Sequence, residues 1–485
     1  MMIQNKEILD QLTIEEKASL CSGLDYWHTK PIPHAGIRSI TMSDGPHGIR
    51  KRDNAEKKDK KKSGSVLAGT PAICYPTAAA TACSWDEDLL YKMGQALGEE
   101  CQKEGIAVLL GPGVNIKRSP LCGRNFEYFS EDPLLAGRLA AAFIKGVQSK
   151  GIGTSIKHYA ANNQETRRMT INSVVDIRAL MEIYLRPFEI AIKNSQPWTV
   201  MCAYNRLNGE YCAENKWLLT DVLREKWGFE GLVVTDWGAE NDRVKGLIAG
   251  QEIEMPFSGG KNDRLIVEAV KNGQLSEEIL DAAADKAVTL AIKGASAEKK
   301  DSYNIQAHHK LAREIAGQSM VLLKNNGGIL PLKKDAKVLI VGEMAENPRY
   351  QGAGSSLINP LLLDCACSAL KAQRIDFDYA RGYSMDKKGK KYNNEYLEQA
   401  VKMARTAQPV VIFAGLTSEY ETEGYDRKHI EMPESHNRLI EEISRINKNT
   451  IVVLAGGAVM QMRWCDNVSA VLMSSLSGQA EAVQL

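Results

Sequence analysis

Five short apolar runs in the first 240 residues each end in a charged or strongly hydrogen-bonding group. "SITMSD" (39–44) stops at Asp44 and "IAVLLGPGVN" (106–115) at Asn115. "GTSIKH" (153–158) ends in Lys157 and His158, "WTVMCAYN" (198–205) in Tyr204 and Asn205, and "GLVVTD" (231–236) in Asp236. One such ending is a cap or a turn; five in succession point to a shared site. Asp236 is followed by Trp237, and a carboxylate beside a large ring at a strand mouth is costly unless something pairs or uses it. Arg124 in "GRNFE" and Arg168 in "NQETRRM" add two cations to the set. Carboxylates, bases and an imidazole converging with Trp237 suit a polar small molecule such as a sugar, whose hydroxyls take charged partners and whose C–H face takes an aromatic.

The elements that must hold these groups are legible as strands alternating with helices. Between the runs lie "DEDLLYKMGQALGEECQKEG" and "DIRALMEIYLRPFEIAIKN", with apolar residues at spacings of three and four. Repeated βα units of this length predict a (β/α)8-type barrel, and barrels assemble their sites at the C-terminal ends of the strands. A helix opened by Ser276 and two glutamates closes the region. The expected division is a barrel over 1–293, a polar linker over 294–310 and a second α/β domain over 311–485. That second domain draws its strands from "KVLIVGE" (337–343), "IDFDYA" (375–380), "PVVIFAGL" (409–416), "TIVVLAGG" (450–457) and "AVLMSSL" (470–476). It reads as an open α/β sandwich. Because "AVLMSSL" is apolar along its length, a covering neighbour is expected from residues beyond Leu485, so the domain reads as C-terminally truncated.

Composition limits the partners. The chain has 485 residues, 44% hydrophobic and 25% charged, with a net charge of +1. Such a balance gives no support to nucleic acid or an anionic membrane as partner. The N-terminus lacks an apolar h-region and no stretch is apolar for a membrane span, so a cytoplasmic location is expected. The ten cysteines are scattered, and the Cys365, Cys367 pair lacks zinc spacing, so reduced structural thiols and no metal are expected. The basic stretch "KRDNAEKKDKKKSG" (51–64) reads as a solvated loop. "RYQGAGSSLINP" is no phosphate loop, because its glycines do not follow a strand and open a helix.

Seven longer motifs carry a resemblance. "TIEEKASLCSG", "MSDGPHGIRK", "GVNIKRSPLCGRNFEYFSEDP", "KHYAANNQETRR", "YNRLNGEYCAEN", "LREKWGFEGLVVTDWGA" and "AREIAGQSMVLLKNNGGILPL" together resemble the family 3 glycoside hydrolases, in their β-glucosidase branch. The match runs in the family's order from near residue 12 to the end.

The resemblance implies an exo-acting β-glucosidase with a retaining, double-displacement mechanism, two carboxylates and no cofactor. Asp236 falls on the nucleophile. The acid/base comes from the second domain, where "TSEYETEGYDRK" places Glu423 in that position and Glu421 as the alternative. A retaining enzyme holds its two carboxyl groups about 5–5.5 Å apart, which implies docked domains with the site in the cleft between them. Asp44 resembles the acceptor for the hydroxyls at C4 and C6, with Arg50, Arg124, Lys157, His158, Arg168 and Tyr204 as the other contacts to the terminal sugar. Trp237 resembles the platform beside the scissile bond. The chain departs from the family's "AGxDxEMP" with "AGQEIEMP", which puts Glu252 where an aspartate is usual.

A β-xylosidase, another family 3 exo-glycosidase, or a truncated sugar-binding protein without activity are the rival readings. "KHYAANNQE" differs from the histidine-supplying loop of the N-acetylglucosaminidases. The expected partners are a small oligosaccharide or glucoside, together with a homo-oligomer or a completing C-terminal segment.

Overall fold

The computed structural model describes residues 3–51, 69–333, 336–384, 394–407 and 409–483. The basic stretch of 51–64 therefore lies, but for Lys51, outside the described residues. The chain divides into two compact units: Met1–Asp53, Asp86–Arg118 and Tyr128–Tyr303 form the first, and Asn54–Trp85, Ser119–Glu127 and Asn304–Leu485 the second.

In the first unit, β1 (Met42–Asp44), β2 (Val108–Leu110), β3 (Gly153–Tyr159), β4 (Thr199–Cys202) and β5 (Leu232–Thr235) form a parallel sheet in sequential order. All five expected runs appear as strands. The order follows from the connections: α1 (Glu87–Glu104), α2 (Pro133–Gln148) and α3 (Arg186–Ser195) each carry the chain from one strand to the next parallel one. Among the described residues this sheet has five paired strands, and Val234 of β5 adds a parallel bridge to Ile253.

Helix boundaries are set by local chemistry. The Asp86 carboxylate accepts the Asp88 and Leu89 N–H groups at the start of α1, and Gly105 ends that helix at φ +66°. Asp132 caps α2 in the same way, with Pro133 in the first turn. The two helices pack through Gly94 and Gly146, where a Cβ on either would strike the backbone of the other helix. The closing helix α4 (Glu277–Ala295) lays Ala284, Ala287, Val288 and Ala291 against a core built from Met42, Val108, Leu110, Met201, Leu232 and Val234.

The longest stretch of the second unit opens with α5 (Ile305–Ser319), followed by β6 (Val321–Asn325), β7 (Val338–Val341), α6 (Ala366–Ala372), β8 (Phe377–Ala380), α7 (Asn394–Ala404), β9 (Val410–Gly415), α8 (Glu434–Ile446), β10 (Thr450–Ala455) and β11 (Ala470–Met473). Its six-stranded sheet has the order β8-β7-β9-β10-β11-β6, parallel except for β6. Here the sequence reading is corrected. β11 does not wait for a strand from beyond Leu485: β6, from upstream in the chain, pairs antiparallel with it and covers the side away from β10. The expected truncation of this sheet is therefore not supported.

Two earlier stretches also join this unit. Residues around Ala72 pair with Asn359 and Leu361, and the Cys74 N–H donates to Gln479 Oε1 at 3.0 Å. The Gly123 N–H donates to Asp426 Oδ1 at 3.1 Å. The described residues contain no disulfide, and no helix among them is long and apolar enough to cross a membrane.

Candidate active site

In a parallel sheet every strand ends at the same edge, so the polar terminal residues of β1 to β5 come together. Asp44 closes β1 and lies 3.8 Å from Lys157 Nζ of β3. Both are buried. The next residue, His158, places Nε2 3.6 Å from Asp236 Oδ2 just beyond β5. Strand alternation should send Lys157 and His158 to opposite faces. The β3–β4 register shifts between Ile156 and Tyr159, and both side chains are buried.

His158 is fixed from several sides. Its N–H donates to Asn115 Oδ1 at 2.8 Å and its carbonyl accepts from Asn115 Nδ2 at 2.9 Å. The Tyr128 hydroxyl stands 3.1 Å from Nδ1, with the two rings edge to face. The Nε2 edge of the imidazole faces Asp236.

Asp236 is positioned by backbone. Its N–H donates to the Cys202 carbonyl at 3.1 Å, tying it to β4, and its Oδ1 accepts the Trp237 N–H at 2.8 Å. Tyr204 donates its hydroxyl to the Trp237 carbonyl at 3.1 Å, and the Arg168 guanidinium stacks 4.7 Å above the Tyr204 ring. Arg168 in turn donates to the buried Glu165 at 2.7 Å. Arg50 returns to β1 through its N–H, which donates to the Asp44 carbonyl at 3.0 Å. Behind this edge, Glu252 supports β5. Its Oε2 accepts the Val233 N–H at 2.6 Å and its Oε1 pairs with Arg224 at 2.5 Å, both side chains being buried. Burial holds the Glu252 carboxyl above the usual range, with Arg224 opposing. Four residues past Asp236, burial pushes Glu240 up to about 7, again against a nearby arginine, Arg243.

The second unit carries the remaining candidates, and Arg124 belongs with them. Arg124 forms a two-pronged pair with Glu127 at 2.8 and 2.9 Å, and its Nη1 reaches 3.8 Å from Glu423 Oε1. Glu423 Oε2 accepts the Ser355 N–H at 2.7 Å. Gly354 allows that approach: a Cβ there would collide with the Glu423 side chain, and its φ of +90° favours glycine anyway. Glu421 differs. It is 1% exposed, its Oε1 accepts the Gly457 N–H at 2.7 Å, and its carbonyl accepts from Arg349. Glu421 is thus built into the loop, whereas the Glu423 side chain keeps 16% exposure.

The structure therefore gathers Asp44, Arg50, Lys157, His158, Arg168, Tyr204, Asp236 and Trp237 on one unit, and Arg124 with Glu423 on the other. Asn115, Tyr128, Glu127 and Glu165 support them, and the sequence reading assigned none of these four a role. Asn115 was visible as a strand ending. Glu127 and Glu165 pair with Arg124 and Arg168 three residues away in the chain, and Tyr128 meets His158 only through tertiary packing.

Two family models match the chain: the glycosyl hydrolase family 3 N terminal domain over residues 59–290, and the glycosyl hydrolase family 3 C-terminal domain over 320–484. The chain belongs to glycosyl hydrolase family 3. Among its family 3 relatives, the thermostable beta-glucosidase B of Acetivibrio thermocellus is 52% identical, over 99% of this chain and 63% of that protein. An exo-alpha-(1->6)-L-arabinopyranosidase of Bifidobacterium longum is 44% identical over 97% of this chain and 62% of its own length. The chain thus spans a little under two thirds of these relatives. The crystal structure of a GH3 beta-glucosidase from Bifidobacterium adolescentis superposes with a TM-score of 0.92 at 44% identity, covering 98% of this chain and 68% of that one. Beta-glucosidase 3B from Thermotoga neapolitana in complex with glucose gives 0.88 at 34% identity, covering 99% and 73%. The C-terminal family model reaches residue 484, in keeping with the completed pairing of β11.

Proposed function

We propose that this chain is a retaining, exo-acting β-glucosidase that releases terminal non-reducing β-D-glucose from oligosaccharides or glucosides. The observation that carries the reading is Asp236, a carboxylate held by backbone at the end of β5 with His158 and Trp237 beside it. The relative at 52% identity, named a beta-glucosidase, supports the same substrate. In this reading the first unit's sheet is the wall of a (β/α)8-type barrel. Residues 1–293 carry the nucleophile, 311–485 carry the acid/base, and 294–310 join them.

The chemistry follows from the two carboxyl groups. Asp236 attacks the anomeric carbon as the bond to the leaving oxygen breaks, and Glu423 gives its proton to that oxygen. Glu423, now ionised, takes a proton from water, whose oxygen attacks the same carbon and frees Asp236. Two inversions leave the configuration unchanged. Glu421 is unsuited to this exchange, because Gly457 and its burial hold it in the loop. Asp44 takes the hydroxyls at C4 and C6, with Arg50, Lys157, His158, Arg168 and Tyr204 around the rest of the ring. Arg124, 3.8 Å from Glu423, orients the acid/base as well as the sugar.

A second reading draws on the relatives named arabinopyranosidases at 44% identity. A pentopyranoside carries hydrogen where glucose carries its C6 group, so Asp44 would have one hydroxyl fewer to hold. Initial rates on the nitrophenyl β-glucoside, β-xyloside and α-L-arabinopyranoside decide. The β-glucoside should give the highest kcat/KM. A faster pentoside overturns the substrate, and glucose binding with no turnover of any of the three would make the chain a sugar-binding protein.

A further inference from the structure

The stretch "RYQGAGSSLINP" (349–360) of the second unit folds back on itself. Gln351, 3% exposed, donates from Nε2 to the Ile358 carbonyl at 2.8 Å and accepts the Ile358 N–H on Oε1 at the same distance. The loop so closed presents the Ser355 N–H to Glu423 Oε2 at 2.7 Å. A donor on a pinned backbone sets how the carboxyl is turned, and proton delivery depends on that orientation. The aim of Glu423 therefore depends on how this loop is held to the 419–427 loop that carries it. Arg349 spans the two. Its Nη1 donates to the carbonyls of Gln351 and Gly352, and its Nη2 to the Glu421 carbonyl at 3.3 Å, two residues before Glu423. Burial pulls the guanidinium below the usual arginine value, and Glu421 is the first charge that opposes it. Burial lowers Arg427 too, at the far end of the carrying loop, again opposed first by Glu421. Its Nη1 donates to the Val459 carbonyl at 2.6 Å. Buried Phe126 backs these loops, and a Cβ at Gly352 or Gly457 would strike it.

We propose that Arg349 is a positioning residue for the acid/base: it clamps the loop that carries Glu423 to the loop whose Ser355 N–H orients the carboxyl. This rests on the glucosidase reading, with Glu423 as acid/base. Acceptors on two chain segments suit the planar fork of a guanidinium, whose donors point in fixed directions. An ammonium at the same place would keep a charge beside Glu421 but not the span. Without Arg349, the Gln351 pairing still closes the 351–358 loop, and the Gly457 N–H still holds the Glu421 side chain. The tie between the two loops is what goes, so the damage falls on the orientation of Glu423.

The test varies the leaving group at a constant glucosyl group. General acid help is worth about 10²–10⁴-fold, and a good leaving group needs little of it. Methyl β-glucoside needs that help and dinitrophenyl β-glucoside does not. A misaimed acid should therefore slow the first substrate alone, whereas a damaged fold slows both. Arg349→Ala should lower kcat/KM for methyl β-glucoside by about ten- to a hundredfold, and for the dinitrophenyl glucoside by less than about threefold. Arg349→Lys, a milder change to the fold, should show the same selectivity with a smaller loss on the methyl glucoside, and it decides on the same terms if the alanine variant does not fold. Equal losses on the two substrates would make Arg349 a purely structural residue and overturn the proposal, as would an unchanged rate on methyl β-glucoside. If the unsubstituted protein turns over neither compound, the glucosidase reading itself fails. Turnover of both, with no selectivity in the variants, refutes only the role of Arg349.

Discussion

Glu252 is where this chain departs from its family's motif, and removing its charge should weaken the strand that delivers Asp236. The carboxylate does two separable things. It neutralises Arg224, with which it forms a pair exposed by only 6% and 5%, and it accepts the Val233 N–H in β5. Glu252→Gln removes the first and keeps an acceptor for the second. Breaking a buried pair typically costs about 3–5 kcal/mol. Two features put this case at the lower end, about 3 kcal/mol. Arg224 retains the Gly231 and Gly250 carbonyls at 3.0 and 3.1 Å, and burial already holds the Glu252 carboxyl above its usual range, so the amide sheds part of a desolvation cost. Glu252→Leu removes both functions. A buried N–H left without an acceptor costs about a further 1–3 kcal/mol, which brings the leucine variant to about 4–6 kcal/mol. Urea unfolding followed by circular dichroism, extrapolated linearly to water, measures both values. The difference between the two variants reads the Val233 bond by itself. Equal stabilities for Gln and Leu would refute the bond to β5, and a Leu variant as stable as the parent would refute the brace altogether.

Two further perturbations separate groups the structure treats differently. Glu423→Ala should lose turnover of substrates with poor leaving groups and recover rate with added azide on activated ones, because azide attacks the glycosyl-enzyme without base help; rescue in Glu421→Ala instead would move the acid/base. Glu240 should make the fold pH-dependent. Its folded value of about 7 exceeds the ordinary 4.5, so between those pH values the folded chain keeps a proton that the unfolded chain loses. Stability should therefore fall as pH rises from 4.5 to 7 and level off above, by at most about 3 kcal/mol. Glu240→Gln should flatten that slope in urea midpoints, and an unchanged slope would show that Glu240 ionises freely in the fold.

Much of the fold was legible because parallel strands buried on both faces are nearly continuous apolar runs. β2, β4, β5, β7, β9, β10 and β11 coincide with such runs, whereas β1, β3 and the edge strand β8 carry polar residues among their apolar ones. β6 was missed because it lacks that signature: Leu322 and Leu323 are half exposed, and the segment neither alternates nor stays apolar. That omission produced the mistaken expectation of an uncovered β11. The polar strand endings were legible for the same reason as the strands, since an abrupt change from apolar to charged marks both the end and the edge. Arg124 was legible as a residue, but its place with the second unit was not. The stretches 69–85 and 119–127 carry no change of composition, and only the pairing of Gly123 with Asp426 and of Ala72 with Asn359 reveals where they belong. Tyr128 was hidden likewise as a support of His158, because it comes thirty residues earlier in the chain.

The central claim is that Asp236 forms a covalent bond to the sugar. Incubation with dinitrophenyl 2-deoxy-2-fluoro-β-glucoside tests it directly, since the fluorine destabilises the oxocarbenium-like transition states and the good leaving group lets only the first step proceed. Peptide mass spectrometry of the inactivated protein should find one fluoroglucosyl group, carried by the peptide that contains Asp236 and absent from Asp236→Ala. A label on a different carboxylate, or turnover of the unlabelled glucoside with inversion at the anomeric carbon, would contradict the account.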